Sequence, residues 1–356
     1  MEIKGFEILR KTGKIGTIQL FEARQLSLDR IVTLKVLEPK FSSSIGEVKD
    51  FVHQAREVAH FKHPNVVEVY DIGEQNGIFY ISLEHVVGKT LRELVQAEGP
   101  TPFRRTVKIA EQVSEALKVA WEKAGLVHKA ISPDTILISE EGWVKVSGFG
   151  QAIPSDMRTL ETFLKAGLLD GNTHFMTPEQ ALEETKLDAR TDMYSMGATI
   201  YYMLTGREPF HDYKGIDALK RHISDRLPHP REIVSTIPAP MGLFLANMMM
   251  KNAHDRYPDW DAVLHDLGKA SHGKLVTIVP GWEERSSISP ISTPAALRKA
   301  TTVSAKAKSS RPSVPSWIRV PAWTLLAMWW ILVAACLLRE EIKDALGVDP
   351  VEELSR

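Results

Sequence analysis

The chain has 356 residues, of which 44% are hydrophobic and 25% are charged, and its formal net charge is −1. This composition is typical of a globular protein with a sizeable core, and the near-neutral charge excludes nucleic acid as an expected partner. The single cysteine, Cys336, excludes an internal disulfide framework, and the 12 histidines show no spacing that indicates a metal site.

The N-terminal part, residues 1–86, has the pattern of a small lobe that is rich in strands. Alternating apolar residues indicate strands, whereas apolar residues three and four positions apart indicate a helix. The predicted elements are a strand over Ile31–Leu37, a helix over Val48–Phe61, and strands over Val66–Ile72 and Ile78–Leu83.

The next part, residues 87–270, has a mainly helical pattern. The predicted helices span Phe103–Ala124, Asp192–Leu204, Ile216–His222, Met241–Met250 and Trp260–Leu267. A helical lobe therefore follows a β-rich lobe, and the predicted class is α+β with two lobes.

Two motifs in this helical part indicate a family. Val127–Ile138 contains His-Lys-Ala-Ile-Ser-Pro-Asp-Thr, and Lys145–Gly150 ends in Gly-Phe-Gly. These segments resemble the catalytic loop H-R-D-L-x-x-x-N and the metal-binding turn D-F-G of protein kinases. Ala130 then replaces the catalytic aspartate, Thr135 replaces the asparagine that holds the second magnesium, and Gly148 replaces the D-F-G aspartate. The resemblance implies a kinase-like fold in which no catalytic residue is intact.

The resemblance covers roughly residues 3–268 and includes the strand that carries the phosphate-binding lysine. Lys35 lies at the position of that lysine. Gln54 lies at the position of the glutamate that pairs with the lysine in the family. Glu57, one helical turn later, is an alternative partner for Lys35.

The segment that resembles the glycine-rich loop keeps only the first glycine, Gly13. Ile15 and Ile18 fall at the second and third glycine positions. Glycine suits these positions because the backbone approaches the phosphates closely, and β-branched isoleucine fills that space. Lys35 and Gly13 are therefore expected to mark a vestigial ATP site.

Other matched positions imply structural roles. Thr177-Pro178-Glu179 resembles the A-P-E element, and the resemblance implies a buried ion pair between Glu179 and Arg256. Asp192 lies in the segment that resembles the buried helix of the large lobe. The resemblance also implies an apolar column that couples the lobes, formed by Val58, Val69, His128 and Phe149.

The chain as a whole resembles bacterial Ser/Thr protein kinases with one membrane span, in a degenerate form. The resemblance implies a pseudokinase that acts as a scaffold or regulator and binds a cytoplasmic protein, either an active kinase or its substrate. Two alternatives stay open: a weakly active or unconventional Ser/Thr kinase, and a module that binds ATP without magnesium-dependent turnover. No metal is expected, and ATP without magnesium-dependent turnover is the one cofactor that the resemblance leaves open. The sequence does not predict an oligomeric state.

The C-terminal part contains a long uncharged segment. From about residue 286 to residue 316 the sequence is rich in Ser, Thr, Pro, Ala and Lys, and a flexible basic linker is predicted over residues 271–319. Residues 320–338 carry no charge, and as a helix they would span about 28 Å, close to the thickness of the hydrocarbon core. Residues 320–338 are therefore a predicted transmembrane helix, and residues 339–356 a short tail.

The charges that flank this span predict its orientation. Lys and Arg are more frequent before the span than after it. Under the positive-inside rule, the kinase-like domain lies in the cytoplasm and the C-terminus lies outside. The sequence thus predicts a single-pass protein of the inner membrane.

Overall fold

The structure is a computed structural model that describes residues 2–15, 17–38, 45–149, 173–184 and 186–290. All of them belong to the first of the two units into which the chain divides, residues 1–291. Most of the predicted linker, the predicted membrane span and the predicted tail lie outside the described residues. Within the described ranges, no helix is long and apolar enough to cross a membrane.

The N-terminal lobe is built on an antiparallel sheet of five strands in the order β1-β2-β3-β5-β4. Alternate side chains of a strand point to opposite faces, so Leu34 and Val36 are buried on one face and Lys35 lies on the other. The strands are β1 (Phe6–Ile15), β2 (Ile18–Gln25), β3 (Arg30–Leu37), β4 (Val69–Gln75) and β5 (Ile78–Glu84).

Strand β4 begins at Val69, whereas the sequence predicts its start at Val66. Residues 65–67 pair instead with Val146: the Val67 N–H donates to the Val146 carbonyl oxygen at 2.9 Å, and the Val146 N–H donates to the Asn65 carbonyl oxygen at 2.7 Å. This short pairing joins the N-terminal lobe to the segment that carries the D-F-G position.

One helix, α1 (Ile45–Ala59), covers the face of the sheet that carries Lys35. Phe51 and Ala55 are four residues apart, so both lie on the side of α1 that meets the sheet. They pack against Leu37, Val67, Ile81 and Leu83. The β-rich lobe with one helix, predicted from the sequence, is confirmed.

The C-terminal lobe is mainly helical, as predicted. Its helices are α2 (Leu91–Glu98), α3 (Phe103–Ala124), α4 (Pro178–Ala181), α5 (Ala189–Thr205), α6 (Ile216–Ser224), α7 (Pro230–Ile233), α8 (Ala239–Met248), α9 (Trp260–Ser271) and α10 (Trp282–Arg285). Helix α5 lies at the centre of the lobe, and Arg190 is the only one of its residues that is not buried. Helices α3, α7 and α8 contact it directly.

A small antiparallel sheet lies beside the helices, with strands β6 (Gly88–Thr90), β7 (Ile136–Ser139) and β8 (Val144–Val146) in that order. The segment 128–135 leads into β7, and the segment 147–149 follows β8. This sheet therefore places the two motif segments next to each other.

The chain remains part of the fold beyond α9. Ile288 is fully buried, and the Leu227 N–H donates to the Ser287 carbonyl oxygen at 2.6 Å. The Ser287 hydroxyl lies 2.8 Å from the hydroxyl of Tyr194 in α5. We call residues 274–290 the C-terminal strap. The sequence predicts a flexible linker from residue 271, but these contacts extend the folded domain to residue 290.

Candidate functional site

Lys35 lies opposite Ile81 in the middle of the sheet, on the face covered by α1. It lines a cavity of about 50 Å³ between the sheet, α1 and the segment 146–149. Among the described residues no carboxylate pairs with Lys35, and burial lowers its pKa to about 8. Gln54 and Glu57 belong to α1, but their side chains lie outside the described part of the structure, so their predicted pairing with Lys35 stays a prediction.

The segment at the glycine-rich-loop position forms the hairpin of β1 and β2. Gly13 pairs with Leu20, and Ile15 pairs with Ile18 across the hairpin. Ile18 also lines the cavity beside Lys35. The isoleucine side chain therefore contributes to the wall of the site, where the family pattern has glycine.

The segment 128–135 carries no group that is poised for proton transfer at the catalytic position. Ala130 presents a methyl group there. The Thr135 hydroxyl lies 3.2 Å from the Ala130 carbonyl oxygen and 3.1 Å from that of Ser132, and it accepts the Ser132 N–H at 3.1 Å. Thr135 therefore closes the loop on itself.

Gly148 lines the cavity with a backbone in the left-handed region, at φ 85°. Its neighbour Ser147 directs its hydroxyl to the Thr135 carbonyl oxygen at 3.1 Å. Magnesium in proteins prefers carboxylate oxygens, and none of Ala130, Thr135 and Gly148 supplies one. In the described ranges no cluster of three or more His, Cys, Asp or Glu side chains offers a metal site. These residues do not fit the magnesium ions of a kinase.

Asp192 of α5 holds the segment 128–135 in place. Its two carboxylate oxygens accept the backbone N–H groups of His128 at 2.7 Å and Lys129 at 2.8 Å. Burial raises the pKa of the Asp192 carboxyl to about 7, although these two hydrogen bonds favour the ionised form. The structure thus places Asp192 as the anchor of the loop that contains Ala130.

His128 and Phe149 form the lower part of a column of side chains between the lobes. Their ring centroids are 4.6 Å apart, and the ring of Phe149 lies 6.0 Å from that of Phe61. Val58 and Val69 line the cavity with Phe149. The matched column residues are therefore close together in the folded domain.

His128 is neutral in this environment. Burial lowers its pKa to about 4. Its Nε2 lies 2.9 Å from the Ser147 carbonyl oxygen, and its Nδ1 accepts the Ala130 N–H at 3.2 Å. Since one ring nitrogen faces an acceptor and the other a donor, the neutral tautomer protonated at Nε2 satisfies both contacts.

Glu179 and Arg256 form a bidentate ion pair with two nitrogen–oxygen distances of 2.7 Å. The Arg256 side chain is fully buried, and it also donates to the carbonyl oxygens of Met250, Arg190 and Lys251. Burial alone would raise the pKa of Glu179, but hydrogen bonds and charge from Arg256 hold it below its usual value. A buried guanidinium with this many acceptors is fully satisfied.

A second ionic network, which the sequence does not predict, involves Asp134 of the segment 128–135. The Arg92 guanidinium, on α2, donates to both carboxylate oxygens of Asp134, from Nε at 2.7 Å and from Nη2 at 2.8 Å. It also pairs with the carboxylate of Glu208. His174 Nε2 lies 3.5 Å from Glu208. The Asp134 carboxylate is thus paired with the Arg92 guanidinium. No local signal predicts this pairing, because its members lie far apart in the chain.

This geometry agrees with one family. The protein kinase domain family model matches residues 6–267. The chain belongs to the protein kinase family. The family assignment confirms the bilobal fold with a sheet in the N-terminal lobe and a helical C-terminal lobe, and it confirms the resemblance on which the sequence positions were matched.

Several curated relatives of this kinase domain are bacterial. A probable serine/threonine-protein kinase of Clostridium perfringens is 34% identical over 273 residues, which are 77% of this chain and 39% of that protein. Serine/threonine-protein kinase PrkC of Bacillus subtilis is 29% identical over 265 residues, covering 74% and 40%. The chain therefore spans about 40% of the length of these relatives.

Solved structures share the fold of this kinase domain. The kinase domain of PknI from Mycobacterium tuberculosis superposes with a TM-score of 0.60 at 18% identity, covering 76% of this chain and 98% of that one. At this identity the likeness concerns the fold alone.

Proposed function

We propose that this protein is a membrane-anchored member of the protein kinase family that does not transfer phosphate and acts as a scaffold or regulator. The observation that carries the proposal is that Ala130, Thr135 and Gly148, at the positions of the base and the metal ligands, supply no carboxylate. The proposed partner is a cytoplasmic protein, either an active kinase or its substrate.

The energetics of phosphoryl transfer support this proposal. Transfer depends on positioning and on metal ions that neutralise the phosphate charge. Loss of a positioned base alone typically lowers the rate by about 10²–10⁴, and each tenfold corresponds to about 1.4 kcal/mol. Asp134, the nearest acidic residue in the same loop, is held by Arg92. No described carboxylate therefore takes over the role of the base.

A phosphoryl-transfer assay tests the absence of activity. The full chain is incubated with labelled ATP, magnesium and a generic protein substrate, next to Lys35→Ala as the matched control. We expect the same background label with both proteins. Time-dependent label that disappears in the Lys35→Ala protein would contradict the proposal.

The second candidate is a Ser/Thr protein kinase with weak or unconventional activity. The curated relatives are named serine/threonine-protein kinases, and the names favour this reading. Lys35 and the column of His128 and Phe149 are also in place. The same assay decides between the two candidates, because only a kinase transfers label in a Lys35-dependent way. ATP binding without turnover would instead raise the melting temperature of the protein without label transfer.

Membrane anchoring by residues 320–338 is the further part of the proposal, and it rests on the sequence. A charged residue near the centre of a spanning helix costs about 2.5–3.5 kcal/mol on insertion scales. We therefore expect Ile331→Asp to weaken retention in the membrane fraction after a carbonate wash, whereas Ser309→Asp in the linker has no effect. Equal retention of both variants would exclude a spanning helix at this position.

A further inference from the structure

The last residues of the C-terminal strap pair with the segment 249–251, which follows helix α8. The Ser287 N–H donates to the Met249 carbonyl oxygen at 2.9 Å, and the Lys251 N–H donates to the Arg285 carbonyl oxygen at 3.0 Å. These two hydrogen bonds run in opposite directions, as they do between antiparallel strands. The strap therefore holds the backbone of the segment 249–251 in place.

Arg256 binds the same backbone segment. Its guanidinium donates to the carbonyl oxygens of Met250 and Lys251, at 2.9 and 3.3 Å. The central carbon of the guanidinium also lies 4.8 Å from the ring centroid of Tyr194, whose hydroxyl is 2.8 Å from the Ser287 hydroxyl. Two neighbours of Arg256, the backbone segment and the tyrosine, are thus in direct contact with the strap.

From Arg256 the contacts continue to the segment 128–135. Arg256 binds both carboxylate oxygens of Glu179 in helix α4. The next residue of α4, Gln180, donates from its side-chain amide to the Lys129 carbonyl oxygen at 2.7 Å. A single short helix therefore joins the arginine beside the strap to the segment 128–135.

Lys129 has a strained backbone. Its φ of 66° lies in the left-handed region, where the Cβ of an L-residue crowds the following carbonyl oxygen. Such strain persists only where the surroundings hold the residue. Asp192 accepts the Lys129 N–H at 2.8 Å, and Gln180 binds its carbonyl oxygen. Since Asp192 lies two positions before Tyr194 in α5, both contacts of the Lys129 backbone lead back to residues that are joined to the strap.

We propose that the C-terminal strap is a releasable brace for the segment 128–135: the docked strap keeps the Lys129 backbone in its strained conformation, and release of the strap lets that backbone relax. Residue 290 leads directly into the remainder of the predicted linker. A protein that binds or pulls the linker therefore reaches the strap first along the chain. The proposal does not depend on whether the protein transfers phosphate.

Amide hydrogen exchange of the full chain in detergent solution tests the proposal. Ile288→Asp places a charge at a fully buried position of the strap, and Leu275→Asp is the matched control at an exposed position of the strap. For Ile288→Asp we expect the N–H groups of His128 and Lys129 to exchange about five- to tenfold faster relative to those of β3, comparable to the loss of one hydrogen bond. Leu275→Asp should leave this ratio unchanged. Faster exchange in the strap with an unchanged ratio overturns the proposal.

A milder variant keeps the test decisive if Ile288→Asp does not fold. Ser287→Ala removes only the hydroxyl beside Tyr194, and we expect it to raise the same ratio by about twofold. Gln180→Met removes the donor to the Lys129 carbonyl oxygen. If the strap acts through α4, the effect of Ser287→Ala on Lys129 is smaller in the Gln180→Met background than in the unchanged protein. Full additivity of the two changes, or no effect of Ser287→Ala on Lys129, overturns the proposal.

Discussion

The anchor of the helical lobe and the catalytic positions of the cleft are neighbours in the fold, but they differ in charge. The anchor contains Asp192 with two backbone donors, and Glu179 with a bidentate arginine, Arg256. The catalytic positions contain alanine, threonine and glycine. The charged side chains that hold this kinase fold together are therefore different residues from those at the catalytic positions of the family. Here the first set is in place, and the three matched catalytic positions, Ala130, Thr135 and Gly148, carry no charge.

The largest expected effect is the loss of the buried ion pair. Arg256→Ala leaves Glu179 as a buried carboxylate without its partner, which typically costs about 3–5 kcal/mol. We expect a marked fall in the free energy of unfolding, measured by urea or thermal denaturation. Arg10→Ala is the control, because Arg10 pairs with Glu22 through an exposed side chain and should cost about 1 kcal/mol or less. Similar small effects from both variants would show that the anchor contributes little to stability.

The next effect concerns pH and the neutral His128. Its folded pKa of about 4 lies below the ordinary value of 6.5. Between these values the unfolded chain binds a proton that the folded chain does not. The contribution of His128 to stability is therefore complete above pH 6.5 and is lost as the pH falls towards 4. One such group changes the free energy of unfolding by at most about 1.4 kcal/mol per pH unit.

His128→Phe tests this pH dependence, because it keeps a ring against Phe149 and removes the titrating group. We expect urea unfolding between pH 7 and pH 4.5 to give a smaller slope of stability against pH than in the unchanged protein. His265→Gln, at an exposed histidine, should leave the slope as it is. A slope unchanged by His128→Phe would mean that other groups carry the acid sensitivity, such as His222 or His229, whose pKa values are also lowered by burial.

The smallest effect is expected in the cleft itself. Lys35→Met replaces a cation that no described side chain neutralises with an apolar side chain of similar length. The melting temperature should stay the same or rise slightly, because the cost of burying the charge disappears. Leu34→Ala, the adjacent change on the opposite face of β3, should lower the free energy of unfolding by about 2–5 kcal/mol. A large loss with Lys35→Met would show that the lysine has a structural partner.

Much of the architecture follows from local patterns in the sequence. Helix Phe103–Ala124 has the predicted bounds, because its apolar spacing is regular and Gly125 adopts the left-handed conformation that ends it, at φ 63°. Strand β3 is similarly close to its prediction, because it alternates strictly. The replacements at Ala130, Thr135 and Gly148 are also legible in the sequence, since motif positions are fixed by short spacings along the chain.

The tertiary structure alone decided the contacts between distant parts of the chain. Arg92 meets Asp134 across 42 positions, and Tyr194 meets Ser287 across 93, so no periodicity relates the partners. The C-terminal strap falls within residues 271–319, the predicted flexible linker, whose later part is rich in small, polar and basic residues. It folds because the helical lobe offers a buried site for Ile288 and hydrogen-bond partners for its backbone. Local patterns specify helices, strands and motif positions, whereas long-range pairs and the cavity at Lys35 depend on how the packed elements bring distant side chains together.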